Sequence, residues 1–178
     1  MNGMGGSIAT VLAGDHRRLD ELLRRAAADS GQIDHDAYGR FRAGLLRHIG
    51  MEEKILLPAV QRLRGGEPFP VAAKLRLDHG ALAALLMPTP TAPILSTIRS
   101  ILTEHNGLEE GADGLYALCD ELAGPEAERI AEKLRAAPEV SVMPYSDGPA
   151  VIGAVHRTLE RAGYDLRDRN TAEREKPT

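Results

Sequence analysis

Two stretches of this chain carry the same set of metal-binding side chains in the same order. Asp15-His16 is followed by His48-x-x-x-Glu52-Glu53, and Asp78-His79 is followed by His105-x-x-x-Glu109-Glu110. Imidazole suits iron and zinc, while a carboxylate can join two metal ions. Four histidines and two glutamates therefore suit a pair of adjacent transition-metal ions. Residues four apart on a helix share a face, so His48 reaches the same place as Glu52, and His105 the same place as Glu109. Glu53 and Glu110 are turned away by about 100° and are expected either to be solvated or to hydrogen-bond the ligands from outside.

The spacing His-x-x-x-Glu is weak on its own. A third copy, His156-x-x-x-Glu160, flanks an apolar stripe instead of joining it and is expected at the surface. His35 precedes His48 by thirteen residues, roughly 20 Å along a helix, and is too far away to share its ligand. Asp15 and Asp78 are expected at the surface, because neighbouring helix positions diverge. Tyr116 and Cys119 lie on an apolar seam two to three turns past Glu109, where core packing is the expected role. Gly50 and Gly107 each follow a seam histidine by two residues and cost about 1 kcal/mol of helix stability relative to alanine. A close approach of another helix could explain them.

The elements that must position these residues are helices. Ser7 caps a first helix to about Asp29, closed by Ser30-Gly31-Gln32. A second begins near Asp34 or Asp36, runs past Glu52 and is expected to kink or end at Pro58. The loop at Gly65-Gly66-Glu67-Pro68 precedes a third helix to about Met87. A rigid Pro88–Pro93 connection leads to a fourth, expected to run unbroken to about Leu122. Beyond Gly124-Pro125, a shorter helix spans 126–136, an irregular stretch 138–149, and a last helix about 150–162, with Ile152, Val155 and Leu159 as its docking stripe. In each long helix the chemical residues sit in the apolar seam: Leu12-His16-Leu19, Leu45-His48-Glu52, Leu75-His79-Leu82 and Leu102-His105-Glu109.

Antiparallel helices bring together residues equidistant from their turn. The midpoint of His16 and His48 falls at position 32, that of His79 and His105 at position 92, and that of Glu52 and His79 beside Gly65-Gly66. All three are loops predicted on other grounds. The expected fold is all-α, an up-down-up-down four-helix bundle with one or two additional C-terminal helices, holding all six residues at one level. Four buried histidines and two buried glutamates would be a costly polar core unless metal ions balanced them.

Composition agrees and narrows the function. The 178 residues are 43% hydrophobic but only 3% aromatic, with no Trp, which suits interdigitating helices. A net charge of -4 without a basic run gives no nucleic-acid footprint. One cysteine excludes a disulfide framework and a cysteine zinc site. The first residues, MNGMGGSIAT, lack the features of a signal peptide, and no stretch has the roughly 20 apolar residues of a membrane span, so a cytoplasmic location is expected. No histidine has a glutamate three positions before it, unlike the Glu-x-x-His sites of ferritin-like oxidases.

The set His16, His48-x-x-x-Glu52, His79 and His105-x-x-x-Glu109, with the segments DHRRLDELL and HIGMEEKILLP, resembles the hemerythrin-like HHE cation-binding family over about residues 7–122. The resemblance implies a non-haem di-iron centre, with Glu52 and Glu109 bridging the ions and the four histidines as terminal ligands; zinc could substitute. A bridging oxo or hydroxo group would bring each ion to five donors and leave one position for a small molecule. The oxygen-carrying members use a fifth histidine, for which this chain has no seam position. The likeness is closer to four-histidine members associated with cluster repair, nitric oxide response or iron and oxygen sensing. It implies a non-enzymatic protein that binds metal and a diatomic ligand, oxygen or nitric oxide, in sensing or stress response. The alternative is an iron–sulfur cluster repair protein, iron donor or peroxide-reducing di-iron enzyme. The expected organisation is a metal-binding bundle over 1–124, a packed helical extension over 125–166 and a disordered tail over 167–178.

Overall fold

The computed structural model of the chain describes residues 7–28 and 31–166. The expected helix end at Asp29, the turn residue Ser30 and the tail 167–178 lie outside the described residues. Among the described residues the protein is helical and contains no strand. Its α-helices are α1 (Ile8–Ala26), α2 (His35–Met51), α3 (Leu57–Leu63), α4 (Ala72–Leu85), α5 (Ala92–Glu110), α6 (Leu115–Ala123), α7 (Ala127–Arg135) and α8 (Pro149–Ala162). None is long and apolar enough to cross a membrane.

Local chemistry sets where these helices begin and end. The Ser7 hydroxyl accepts from the Thr10 amide, and the Asp120 carboxylate accepts from the amides of Ile8 and Ala9 at 2.9 and 3.1 Å. The first turn of α1 is thus capped partly from α6, and the carboxylate suits the positive end of the helix. Asp34 and Thr91 cap α2 and α5 in the same way. Gly163 ends α8 in the left-handed region at φ 85°, where other residues are strained.

Of the kink or end expected at Pro58 the end is excluded, and the expectation of an unbroken fourth helix is corrected. The second helix does not end at Pro58; it passes through a π turn, Glu52–Leu56, and continues as α3. The Leu57 amide donates five residues back to the Glu52 carbonyl, so the widened turn falls beside Pro58, which has no N–H to donate. The fourth helix is broken: α5 stops at Glu110, and α6 starts at Leu115. Between them the Gly114 amide donates to the Gly111 carbonyl at 2.7 Å, and a Cβ on Gly114 would stand 2.5 Å from the Glu109 carbonyl oxygen. Only glycine lets the chain fold back so tightly.

The apolar interior forms two clusters. One holds Leu19, Leu23, Phe41, Leu45, Leu82, Leu85, Ile98 and Ile101, joined by Val155 and Leu159 of α8. The other holds Ile8, Leu12, Met51, Leu56, Val60, Leu75, Leu115 and Cys119, joined by Ile130 and Leu134 of α7. Each fully buried leucine or isoleucine contributes about 1.5–3 kcal/mol. Along α1 the chain passes from the second cluster to the first, along α2 back again, and along α4 forward once more. Every crossing happens at a seam histidine, so the polar residues form a layer between two apolar ones.

The C-terminal segments fasten onto this frame. α8 lies against α4, with Val155 and Leu159 buried while Ile152 remains exposed. The irregular stretch before it is pinned by Arg42, whose guanidinium donates to the carbonyls of Leu86 and Met143 and lies 4.3 Å from the centre of the Tyr145 ring. The Asp147 carboxylate accepts from the amide and hydroxyl of Thr89. No neighbour lies within 4 Å of a Cβ added at Gly50 or Gly107, so close helix approach does not explain those glycines. Close packing occurs instead at Gly44, where a Cβ would meet Leu19 at 2.8 Å.

Candidate metal centre

The layer between the two clusters brings together all six residues singled out by the sequence. His16, His48, Glu52 and Glu109 form one group of four donors that could hold a metal ion; Glu52, His79, His105 and Glu109 form a second. All six side chains are buried. Each glutamate faces one histidine of each group. Glu52 Oε2 lies 3.6 Å from His48 Nε2 and 3.1 Å from His79 Nε2. Glu109 lies 3.4 Å from His16 Nε2 through Oε2 and 3.2 Å from His105 Nε2 through Oε1. His156 and His35 are exposed on other parts of the surface, as expected.

The outer nitrogen of every histidine meets a carboxylate. His48 Nδ1 donates to Asp15 at 3.0 Å, and His105 Nδ1 to Asp78 at 3.3 Å. His79 Nδ1 donates to Glu53 at 2.7 Å, and His16 Nδ1 pairs with Glu110. The Glu53 and Glu110 roles match expectation. Asp15 and Asp78 do not: neither is a surface residue, and Asp78 is 0% exposed. Their side chains point sideways, each to the histidine of the next helix in sequence, while His16 and His79 beside them point inward. The signal available in the sequence was the repeat itself, which places an aspartate before the histidine in both copies.

These carboxylates fix the chemistry of the inner nitrogens. A neutral imidazole that donates from Nδ1 carries a lone pair on Nε2. His16 Nε2 and His48 Nε2 then face each other at 2.9 Å, and His79 Nε2 and His105 Nε2 at 3.2 Å. Two lone pairs at that distance repel unless a proton or a metal ion lies between them. Glu52 Oε2 and Glu109 Oε1 are buried acceptors that receive no hydrogen bond. Burial without a partner is costly, and a cation beside each histidine pair would answer all six atoms together. The donors therefore fit a pair of metal ions.

Titration in the metal-free protein reflects the same crowding. Burial alone would lower the pKa of His105, but its hydrogen bond to Asp78 and the adjacent carboxylate of Glu109 outweigh it and push it up to about 10. His16 and His79 are raised for the same reason, against burial, chiefly by Glu109 and Glu52 respectively. Burial would raise Glu109, yet His105 and His16 hold it well below the usual carboxylate range. Burial, opposed by His48 in one case and by His105 and Lys74 in the other, leaves Asp15 and Asp78 lowered. Burial pushes the Cys119 thiol up to about 12, so it is not an activated nucleophile.

Tyr116 is the residue that sequence reasoning misplaced. On an unbroken helix it would sit well past Glu109 in the core. Because α5 breaks at Gly111–Gly114, α6 begins beside the polar layer and its second residue reaches in. The Tyr116 hydroxyl donates to Glu52 Oε1 at 2.5 Å and lies 3.0 Å from Glu109 Oε2. It is also 3.2 Å from His16 Nε2 and 3.4 Å from His48 Nε2. The two glycines soon after Glu109 were the available sign that this helix would not continue.

Residues 7–89 match the hemerythrin HHE cation binding domain. The family resemblance expected from the motifs is thus met over α1 to α4, which carry His16, His48, Glu52 and His79. His105 and Glu109 lie beyond the matched segment and join the other four by geometry. No curated protein and no solved structure gives a significant match.

Proposed function

We propose that this chain is a hemerythrin-like, non-haem di-iron protein of the cytoplasm that binds a small diatomic gas, oxygen or nitric oxide, in sensing or stress response. Its ligands are His16 and His48 for one ion, His79 and His105 for the other, and Glu52 and Glu109 shared by both. The observation that carries this reading is the pair of four-donor groups with both glutamates in common. Mixed imidazole and carboxylate ligation suits iron, with zinc as a substitute. Loaded with iron, the pair would supply an exchangeable position for the gas. The four outer carboxylates keep the Nδ1 protons in place and so aim each Nε2 inward. The apolar clusters on either side exclude bulk water.

The frame we propose is an up-down-up-down bundle of α1, α2 with α3, α4 and α5. The alternating order in which these helices cross the two apolar clusters supports it. We read residues 1–124 as the metal-binding unit and 125–166 as an extension packed on it. The packing of α8 on α4 and of α7 on α1 supports that division.

The test is elemental analysis of the full chain isolated from iron-replete cells, followed by gas addition to the reduced protein. Two transition-metal ions per chain are expected, and one or none overturns the paired site. Oxygen or nitric oxide should change the metal-centred absorption in proportion to bound iron. Indifference to both gases, with two ferrous ions present, overturns the gas-binding role and leaves a closed storage or structural site.

A further inference from the structure

Tyr116 is surrounded in a way that hydrogen bonding does not explain. Its oxygen lies 2.5 Å from Glu52 Oε1, 3.0 Å from Glu109 Oε2, 3.2 Å from His16 Nε2 and 3.4 Å from His48 Nε2. The two carboxylate oxygens can only accept, and the two Nε2 atoms turn lone pairs toward it once each imidazole carries its proton on Nδ1. A phenol has one proton, so it can serve one acceptor well and must crowd the others. A cation shared among five donors would satisfy every one of them.

The distances carry a second message. Donors on adjacent corners of an octahedron, each about 2.1 Å from the metal, stand about 3 Å from one another. The four distances from Tyr116 bracket that separation. The neighbours also lie close to one another: His16 Nε2 is 2.9 Å from His48 Nε2 and 3.4 Å from Glu109 Oε2, and His48 Nε2 is 3.6 Å from Glu52 Oε2, the oxygen of that carboxylate facing away from Tyr116. Tyr116 meets all four of these side chains and so stands as a fifth donor beside them. Both histidines it meets belong to one group, so the two halves of the centre are unequal.

We propose that Tyr116 is a ligand of the ion held by His16 and His48. That ion has five protein donors against four for its neighbour, so the exchangeable position lies on the His79–His105 side. This inference rests on the paired-metal reading above. On ligation the O–H bond of Tyr116 breaks, an oxygen–metal bond forms and the proton passes to solvent; no electron is transferred. In the metal-free protein, burial and the charges of Glu52 and Glu109 keep that proton in place. A bound cation reverses the sign of the local field.

The fold is arranged to deliver this oxygen. Helix α5 ends directly after Glu109 and Glu110, and the Gly111–Gly114 turn is tight enough to require glycine at 114. Tyr116 is 1% exposed and has no solvent-facing role. The remaining tyrosines are committed elsewhere: Tyr38 and Tyr145 stack on each other, and Tyr164 packs on Lys74.

The experiment uses the full chain loaded with iron(III), as wild type and as Tyr116→Phe. Metal per chain, visible absorption and resonance Raman spectra are recorded, the wild type also with ring-deuterated tyrosine. Wild type is expected to hold two ions and show a visible phenolate-to-iron charge-transfer band whose Raman modes shift with the deuterated ring. Tyr116→Phe should lose the band while keeping most of its iron. Wild-type protein with two ions and no tyrosinate modes overturns the ligand assignment and leaves the paired-metal reading standing. Wild-type protein that takes up no transition metal overturns both. Should Tyr116→Phe fail to fold or load, the isotope shift in the wild type still decides.

Discussion

Replacing Asp78 separates the orientation of a ligand from ligation itself. Asp78 is fully buried, accepts from His105 Nδ1 at 3.3 Å and from the Lys74 ammonium at 2.5 Å, and touches none of the shared atoms. Removing an outer partner of a metal-bound histidine lowers metal affinity by about 10–100-fold, or about 1.4–2.7 kcal/mol. The 3.3 Å bond is long, which argues for the lower end. The complete burial of the charge argues for the upper end, because no water screens it. Asp78→Asn keeps an acceptor and loses only the charge, so it should weaken metal binding by about 10-fold; Asp78→Ala should approach 100-fold. Lys74 is 40% exposed and can be rehydrated, so the cost to folding stays at about 1–3 kcal/mol. Affinity is read by competition with a chelator, and stability by denaturation of the metal-free protein. The reasoning fails if Asp78→Asn binds metal as tightly as wild type, or if it loses as much as His105→Ala.

Glu52→Ala and Glu109→Ala should each lose most of the metal, whereas His156→Ala keeps it and Glu53→Ala and Glu110→Ala are only weakened; metal per chain after identical purification checks the order. Equal losses from Glu53→Ala and Glu52→Ala would show the helical phase to be wrong. Because the His105 pKa is pushed up to about 10 and those of His16 and His79 are raised in the metal-free protein, metal binding should release protons, His105 foremost. Calorimetry in buffers of different ionisation enthalpy should register that release. By the same linkage, the His105 contribution to metal-free stability is complete below its unfolded pKa of about 6.5 and fades as pH rises toward about 10. Gly114→Ala should cost about 1–3 kcal/mol, since its Cβ would stand 2.5 Å from a backbone oxygen. Gly50→Ala should be neutral or gain up to about 1 kcal/mol, since nothing stands within 4 Å of it.

The inward side chains were legible because helical periodicity and turn placement are both local properties of the chain. His16, His48, Glu52, His79, His105 and Glu109 each interrupt an apolar stripe, and a charge in such a place needs a reason wherever the partner helices lie. The sideways contacts were not legible. Whether Asp15 and Asp78 meet a histidine depends on the rotation of each helix against its neighbour, which the stripe fixes only to within a side chain's reach. Tyr116 was lost for a different reason. A seam extended from Ile98 through Tyr116 looks continuous, yet Gly111 and Gly114 cost helix propensity and permit a turn that only the packed structure can hold. Pro58 left a kink or an end open, and the sequence did not decide between them, because a π turn can absorb the missing donor without ending the helix.

Charge explains why so polar a layer can persist between two apolar ones. Six carboxylates surround the four histidines: Glu52 and Glu109 within, and Asp15, Glu53, Asp78 and Glu110 outside. Three of the outer ones also meet basic side chains, Arg18 on Asp15, Arg76 on Glu53 and Lys74 on Asp78. Those bases are at least 40% exposed and can trade the carboxylate for water, so they moderate the inner charge without cancelling it. The remaining excess is negative and lies where the Nε2 lone pairs and unbonded carboxylate oxygens converge. Protons on His16, His79 and His105 can offset it when no metal is bound, which is why the pKa values of these three rise. Two metal ions would offset it with bonds as well as charge, and would convert a layer that strains against burial into one that ties four helices together.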